Sequence, residues 1–148
     1  MATHELTTSW KGKMAFEANI NGHLLLMDAN EAGGGDNSAP SPKPLVLTAL
    51  SGCTGMDVVS IMRKMRKEPN SFDLLVKAEL TDTHPKEYCA IHLEYRIEAP
   101  ANYREAALQA VVLSQEKYCG VNSMLKKIMP VTHTILFNGE VIKDSRPA

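Results

Sequence analysis

The chain has no excess charge of either sign. Its 148 residues include 16 Lys and Arg against 17 Asp and Glu, a formal net charge of -1. That excludes the strongly basic surface by which proteins bind nucleic acid or an anionic membrane. The N-terminus, MATHELTTSW, has no basic region followed by an apolar run, so no secretory signal is expected. No membrane span is expected either, because Gly, Asp, Ser or Lys interrupts each long apolar stretch. These absences point to a cytoplasmic protein. Cysteine is scarce: there are three, with no CxxC pair. Three thiols in a reducing compartment make no disulfide framework, and the missing CxxC argues against zinc. The ordinary reading of any one of them is a small buried hydrophobe. The glycine-rich stretch at 30–42, NEAGGGDNSAPSP, lacks the Gly-Lys-Ser/Thr ending of a phosphate-cradling loop. It reads as a flexible linker.

What is present reads as one α+β domain over 1–148, in the order β-β-β-α-β-β-α-β-β. Met14, Phe16, Ala18 and Ile20 alternate with polar or small residues, the period of a strand with one buried face. Asn21-Gly22 follows, a strong hairpin signal, and HLLLMD is the return strand. Residues 42–65 read as one long helix, with Ser41 as its cap and Pro42 in its first position. Its apolar residues cover most of the circumference, which predicts burial on more than one side. Residues 71–82 and 88–98 read as strands. In the second of these, Cys89, Ile91, Leu93, Tyr95 and Ile97 share the expected core face, and His92 lies on the polar face as a solvated side chain. A second long helix is expected over 103–129, with Cys119 and Gly120 inside it; Gly120 there costs up to about 1 kcal/mol. Two short strands follow, joined at Asn138-Gly139. His133, in the first of them, reads as a satisfied strand imidazole, and the five histidines are too scattered to predict a metal triad. Two all-round apolar helices are hard to bury in one small chain, so a homodimer sharing its helices is expected.

The stretch APSPKPLVLTALSGCTGMDVVSIM, followed 66 residues after Cys53 by Cys119 in SQEKYCGV, resembles the OsmC/Ohr superfamily, specifically its OsmC-like branch. The resemblance covers nearly the whole chain. It implies antiparallel sheets around two long central helices, in an intertwined homodimer with its sites at the interface. It also implies that the two helices bring Cys53 and Cys119 together. The activity implied is a bacterial, thiol-dependent peroxidase for organic hydroperoxides in oxidative-stress defence. Cys53 would be the attacking thiol and Cys119 the resolving one. A dithiol, in relatives often a lipoylated protein, would reduce the resulting disulfide. No metal or bound cofactor is implied.

An attacking cysteine must be activated, since a free thiol has a pKa of about 8.5. Family peroxidases use an Arg from the N-terminal β region and a Glu at the start of the first helix. This chain has no Arg before Arg63, and Lys43-Pro44 stands where relatives carry the Glu. Lys13 or Lys43 could replace the cation, and Lys11 is a further candidate, although a Lys lacks the planar fork of Arg. Asp57 lies one turn after Cys53, and Glu116 just before Cys119. Carboxylates beside a thiol raise its pKa. They read either as capping or interface ion pairs or as groups that order the pocket. The other functional reading is a catalytically inactive or divergent dimer that binds an apolar small ligand, with the Met-rich helices lining its pocket.

Overall fold

Two Asn-Gly pairs close hairpins with both central residues in the left-handed region, at φ 52 and 84 for Asn21-Gly22 and 50 and 81 for Asn138-Gly139. That geometry matches the twist of the flanking strands. The structure, a computed structural model, describes residues 1–148 as two units, 1–46 and 47–148.

The first unit holds an antiparallel meander of β1 (Thr7–Gly12), β2 (Ala15–Ile20) and β3 (His23–Met27). The glycine-rich segment after it is not the flexible linker expected from composition. It is organised around Asp28. Its carboxylate accepts hydrogen bonds from the Ala29 amide at 2.8 Å, the Asp36 and Ser38 amides at 3.1 Å each, and the Ser38 hydroxyl at 2.7 Å. These donors hold the Asp28 pKa down at about 2, the Ser38 hydroxyl contributing most. Gly35 lies against this knot: a Cβ there would sit 2.1 Å from the Ala29 carbonyl oxygen. Composition identifies the turn formers, but not the carboxylate that gathers their N–H groups.

The helix α1 (Pro44–Lys64) begins two residues later than expected. Lys43 precedes a proline, and that position disfavours helical backbone. The turn before it is tightened by bonds from the Leu45 amide to the Pro42 carbonyl and from the Val46 amide to the Lys43 carbonyl. By length and composition α1 is long and apolar enough to cross a membrane, contrary to the expectation above. Interruption by Gly, Ser and Thr barely lowers hydropathy, and core helices of soluble proteins pass the same test. Leu50, Thr54, Val58 and Met62, four residues apart, are fully buried. The rest of the circumference is not: Met56 is 75% exposed. Burial on more than one side is therefore not achieved within one chain.

In the second unit, β4 (Ser71–Leu80), β5 (Tyr88–Glu98), β6 (Val131–Phe137) and β7 (Glu140–Asp144) form a sheet in that order. The sheet is mixed rather than antiparallel, because β5 and β6 pair in parallel. A long helical crossover joins them, as parallel neighbours require. Ile91, Leu93, Tyr95 and Ile97 are buried as their alternation predicts, with Ile135 and Phe137 beside them. Cys89 breaks the expected pattern and is exposed. Glu79 pairs with Ala90 and Leu80 with Tyr88, so Cys89 is the unpaired extra residue of a β-bulge.

The crossover is not one long helix. It consists of α2 (Arg104–Leu113), a π-helical turn Ser114–Tyr118, an extended Cys119 at φ -73 and ψ 101, and α3 (Gly120–Leu125). The chain thus has one long helix, where two were expected.

Asp28→Asn removes the charge that holds the 28–38 segment. The wild-type advantage is complete above the ordinary carboxylate value of 3.8 and disappears as pH falls through about 2. Thermal midpoints of wild type and variant are expected to differ at pH 7 and to converge near the acid end. Gly35→Ala is expected to lower the midpoint at all pH values.

Candidate functional site

Cys53 and Asp57 are one turn apart on α1 and project to the same side of the helix. Cys119 comes from the break in the crossover. The two sulfurs and one Asp57 carboxylate oxygen all lie within 4.8 Å of one another. The break is what presents Cys119. The π turn closes with the Cys119 amide donating to the Ser114 carbonyl at 2.9 Å. Cys119 then leaves the helix and caps the next one, its sulfur accepting from the Asn122 amide at 3.4 Å. Extra residues of this kind inside helices are common at functional sites.

The two sulfurs differ. Cys119 is 3% exposed, whereas Cys53 is half-buried. Burial pushes the Cys119 thiol up to about 12; its hydrogen bond with Cys53, the Cys53 charge and the Asp57 carboxylate push the same way. Cys119 is therefore protonated at neutral pH.

A chain of buried hydrogen bonds ends at Asp57. Asp57 Oδ2 accepts from Ser114 Oγ at 2.9 Å. Ser114 meets Thr54 at 2.8 Å, and Thr54 meets the Tyr95 hydroxyl at 2.7 Å. Tyr95 accepts from Gln115 Nε2 at 2.5 Å, and Gln115 Oε1 accepts from Asn122 Nδ2 at 2.9 Å. Both ends fix its sense. Asn122 Nδ2 also faces the Gln115 carbonyl, which can only accept, and Ser114 Oγ donates to Asp57 Oδ2. Every hydroxyl between them therefore donates toward Asp57. Tyr95 is held as a neutral donor: burial raises its pKa to about 12. Phe72 stacks on its ring at 6.2 Å, and His133 meets it edge-on at 6.0 Å.

Two histidines differ from expectation. His133 is buried with Nε2 unpartnered, and burial lowers its pKa to about 4. His92 is not solvated; its ring nitrogens lie 2.8 and 3.0 Å from the hydroxyls of Thr132 and Thr134 on the neighbouring strand.

The other expected site residues are not among those brought together within unit 47–148. Lys13 is paired with Asp36 at 2.6 Å within unit 1–46, and Lys43 is exposed ahead of α1. Neither belongs to unit 47–148, in which the cluster forms. Glu116 is exposed on the π turn and is not part of the cluster; Ser114 is the residue of that turn that reaches Asp57. Thr54, Tyr95, Ser114, Gln115, Asn122 and Lys64 were not singled out in the sequence. Lys64 carried a usable signal, since it lies two turns after Asp57 on α1. The two share a cavity of about 350 Å³ with Ile61, Met65, Leu113 and Tyr118.

Comparison with known proteins agrees with this fold. The family model described as OsmC-like protein matches residues 34–134. Protein YhfA of Escherichia coli is 38% identical over 114 residues, which is 77% of this chain and 82% of that protein. The crystal structure of a hypothetical protein from Aquifex aeolicus superposes with a TM-score of 0.79 at 26% identity, covering 93% of this chain and 98% of that one. An organic hydroperoxide resistance protein from Elizabethkingia anophelis has the same fold, with a TM-score of 0.65 at 14% identity, over 93% and 98% of the two chains.

Tyr95→Phe tests the hydrogen-bond chain. It leaves Thr54 and Gln115 without their shared partner in a buried layer. The expected loss is about 1–3 kcal/mol, read from the urea midpoint at an unchanged m-value. A variant as stable as wild type would show that the chain contributes nothing.

Proposed function

The chain belongs to the OsmC-like protein family, and on that premise we propose that it is a thiol-dependent reductase of organic hydroperoxides. Cys53 attacks and Cys119 resolves. The observation that carries this reading is the mutual proximity of the two sulfurs and Asp57. In a site without the family Arg, a carboxylate can activate the thiol by taking its proton. Cys53 is the attacking residue on this reading because it is the more accessible sulfur, while Cys119 is held as a thiol.

Asp57 accepts the Cys53 proton, and the thiolate attacks one peroxide oxygen. The O–O bond breaks, Cys53 becomes a sulfenic acid, and the departing alkoxide takes the proton from Asp57 to leave as an alcohol. Cys119 then attacks the Cys53 sulfur. Its own proton leaves with the sulfenic hydroxyl as water, and a disulfide forms. An external dithiol, of which a lipoylated protein is one form, reduces this disulfide and is itself oxidised. The apolar walls of the cavity beside Asp57 support an organic substrate, and Lys64 is the basic residue among those that line it.

The same proposal includes a homodimer working in the bacterial cytoplasm. Only 22% of the most apolar 18-residue stretch of α1 is buried within the chain. Met124 and Ile128 at the end of the crossover are 60% and 75% exposed. A second copy would cover such surface.

A second reading is an apolar-ligand-binding dimer without turnover. A groove of about 650 Å³, lined by Gly55, Met56, Val59, Phe72 and Leu74, favours it.

Steady-state consumption of cumene hydroperoxide with lipoamide or dithiothreitol separates the two. Cys53→Ser is expected to abolish turnover. Cys119→Ser is expected to stop after one equivalent, with a dimedone-reactive sulfenic acid on Cys53. Asp57→Asn is expected to slow turnover by about 10²–10⁴-fold. A wild type no faster than Cys53→Ser, with no disulfide after peroxide treatment, would sink the peroxidase reading. Light scattering is expected to give the mass of two chains.

A further inference from the structure

We propose that Cys53, Asp57 and Cys119 form a binding site for a soft divalent cation of the Zn²⁺ class, with two sulfurs and one carboxylate oxygen as ligands. The proposal stands on the geometry of the cluster and holds whether or not the pair reduces peroxides. Tetrahedral zinc sits about 2.3 Å from sulfur and about 2.0–2.2 Å from oxygen, which sets ligand–ligand edges of roughly 3.5–3.8 Å. The three donor atoms here are at most 4.8 Å apart. Side-chain torsions that draw each donor inward by a fraction of an ångström complete the triangle. Three protein ligands leave a fourth position for water or another small ligand.

The surroundings suit this use. Cys53 and Asp57 are presented by one rigid helix at a spacing of one turn. Ser114 orients the Asp57 carboxylate, and the Asn122 amide donates to the Cys119 sulfur. Outer hydrogen bonds of this kind orient first-layer ligands. Asp57 also lacks a cation: the five ion pairs of the chain all lie elsewhere. Two thiols and a half-buried carboxylate converge with no cation in an ion pair with them. Thiolate sulfur selects soft or borderline metals over Mg²⁺ or Ca²⁺. The absence of a CxxC pair does not count against the site, because that signature reports only ligands close in sequence. Here the second sulfur arrives through the break in the crossover.

Binding is balanced by proton release: two thiols and one M²⁺ give the bis-thiolate complex and two H⁺. A Cys53–Cys119 disulfide would remove two of the three ligands, so metal loading and disulfide formation exclude each other.

The test uses the reduced full-length protein. Cd²⁺ is titrated and read by sulfur-to-metal charge-transfer absorbance, and Zn²⁺ is titrated against a chromophoric chelator. One metal per chain is expected. Cys53→Ser and Cys119→Ser should each weaken binding by about 100-fold and Asp57→Asn by about 10-fold, while Cys89→Ser binds as wild type does. Circular dichroism of each variant separates lost folding from lost ligation. In the wild type, Zn²⁺ is expected to block alkylation of Cys53 while exposed Cys89 reacts at its metal-free rate. Wild-type affinity in either the Cys53 or the Cys119 variant overturns the proposal, as does loss of binding in Cys89→Ser. So does Cys53 alkylation at an undiminished rate in saturating Zn²⁺.

Discussion

Tyr95 points its hydroxyl into a layer from which water is excluded, and a phenol there needs partners within the protein. It finds Thr54 on α1 and Gln115 on the π turn. Each of these has a further hydrogen-bonding group to satisfy, so the requirement spreads to Ser114 and Asn122 and ends at Asp57. A buried polar network is favourable when its members are satisfied, and here Asn122 Oδ1 is the one member atom left without a partner. That constraint ties three elements together: the buried stripe of α1, the centre of β5 and the irregular middle of the crossover. The break at Cys119 belongs to the same arrangement. A regular helix through 114–119 would keep the Cys119 amide in an ordinary helical bond, and its sulfur would not cap α3.

The site inherits its asymmetry from this frame. Asp57 terminates a run of hydroxyls that all donate toward it. Cys119 is buried at the break of the crossover and kept protonated, whereas Cys53 stays partly accessible one turn from Asp57. One carboxylate, one sealed thiol and one accessible thiol are thus held in fixed relation by atoms that take no part in the chemistry themselves. The groups behind Asp57 are neutral hydroxyls and amides, where the family resemblance implied an Arg and a Glu.

Local signals in the sequence were legible. The Asn-Gly turns, the alternation in β5 and the order of the elements are all encoded by neighbouring residues. The misreadings occur where a distant group overrides local preference. The glycine run reads as flexible until Asp28 collects its amides. Cys89 keeps the parity of the core residues, but a bulge against β4 takes it out of the ladder. Residues 103–129 have helical composition throughout, and only the tertiary demands on Ser114, Gln115 and Asn122 explain the π turn. Gly120, with its poor helix propensity, was the one local hint of the break. The cysteine pair was noticed through resemblance rather than through spacing, because 66 residues separate the two in sequence. Thr54 and Tyr95 carry no motif at all and emerge only when the hydrogen bonds are followed.

The missing arginine has a consequence for how such a cluster handles charge. Deprotonating Cys53 beside Asp57 places two negative charges within 4.8 Å unless positive charge arrives with them. At that separation the repulsion is about 3–4 kcal/mol at an effective dielectric of 20. A proton moving from sulfur to carboxylate removes one of the two charges without any cation, which suits a reaction that returns that proton to a departing alkoxide. A divalent metal instead neutralises both charges at once, but it ties up the sulfur lone pair that would attack a peroxide. The proton and the metal therefore compete for the same pair of groups. An arginine held at the thiolate would disfavour the metal by repulsion; without one, this site is electrostatically open to either.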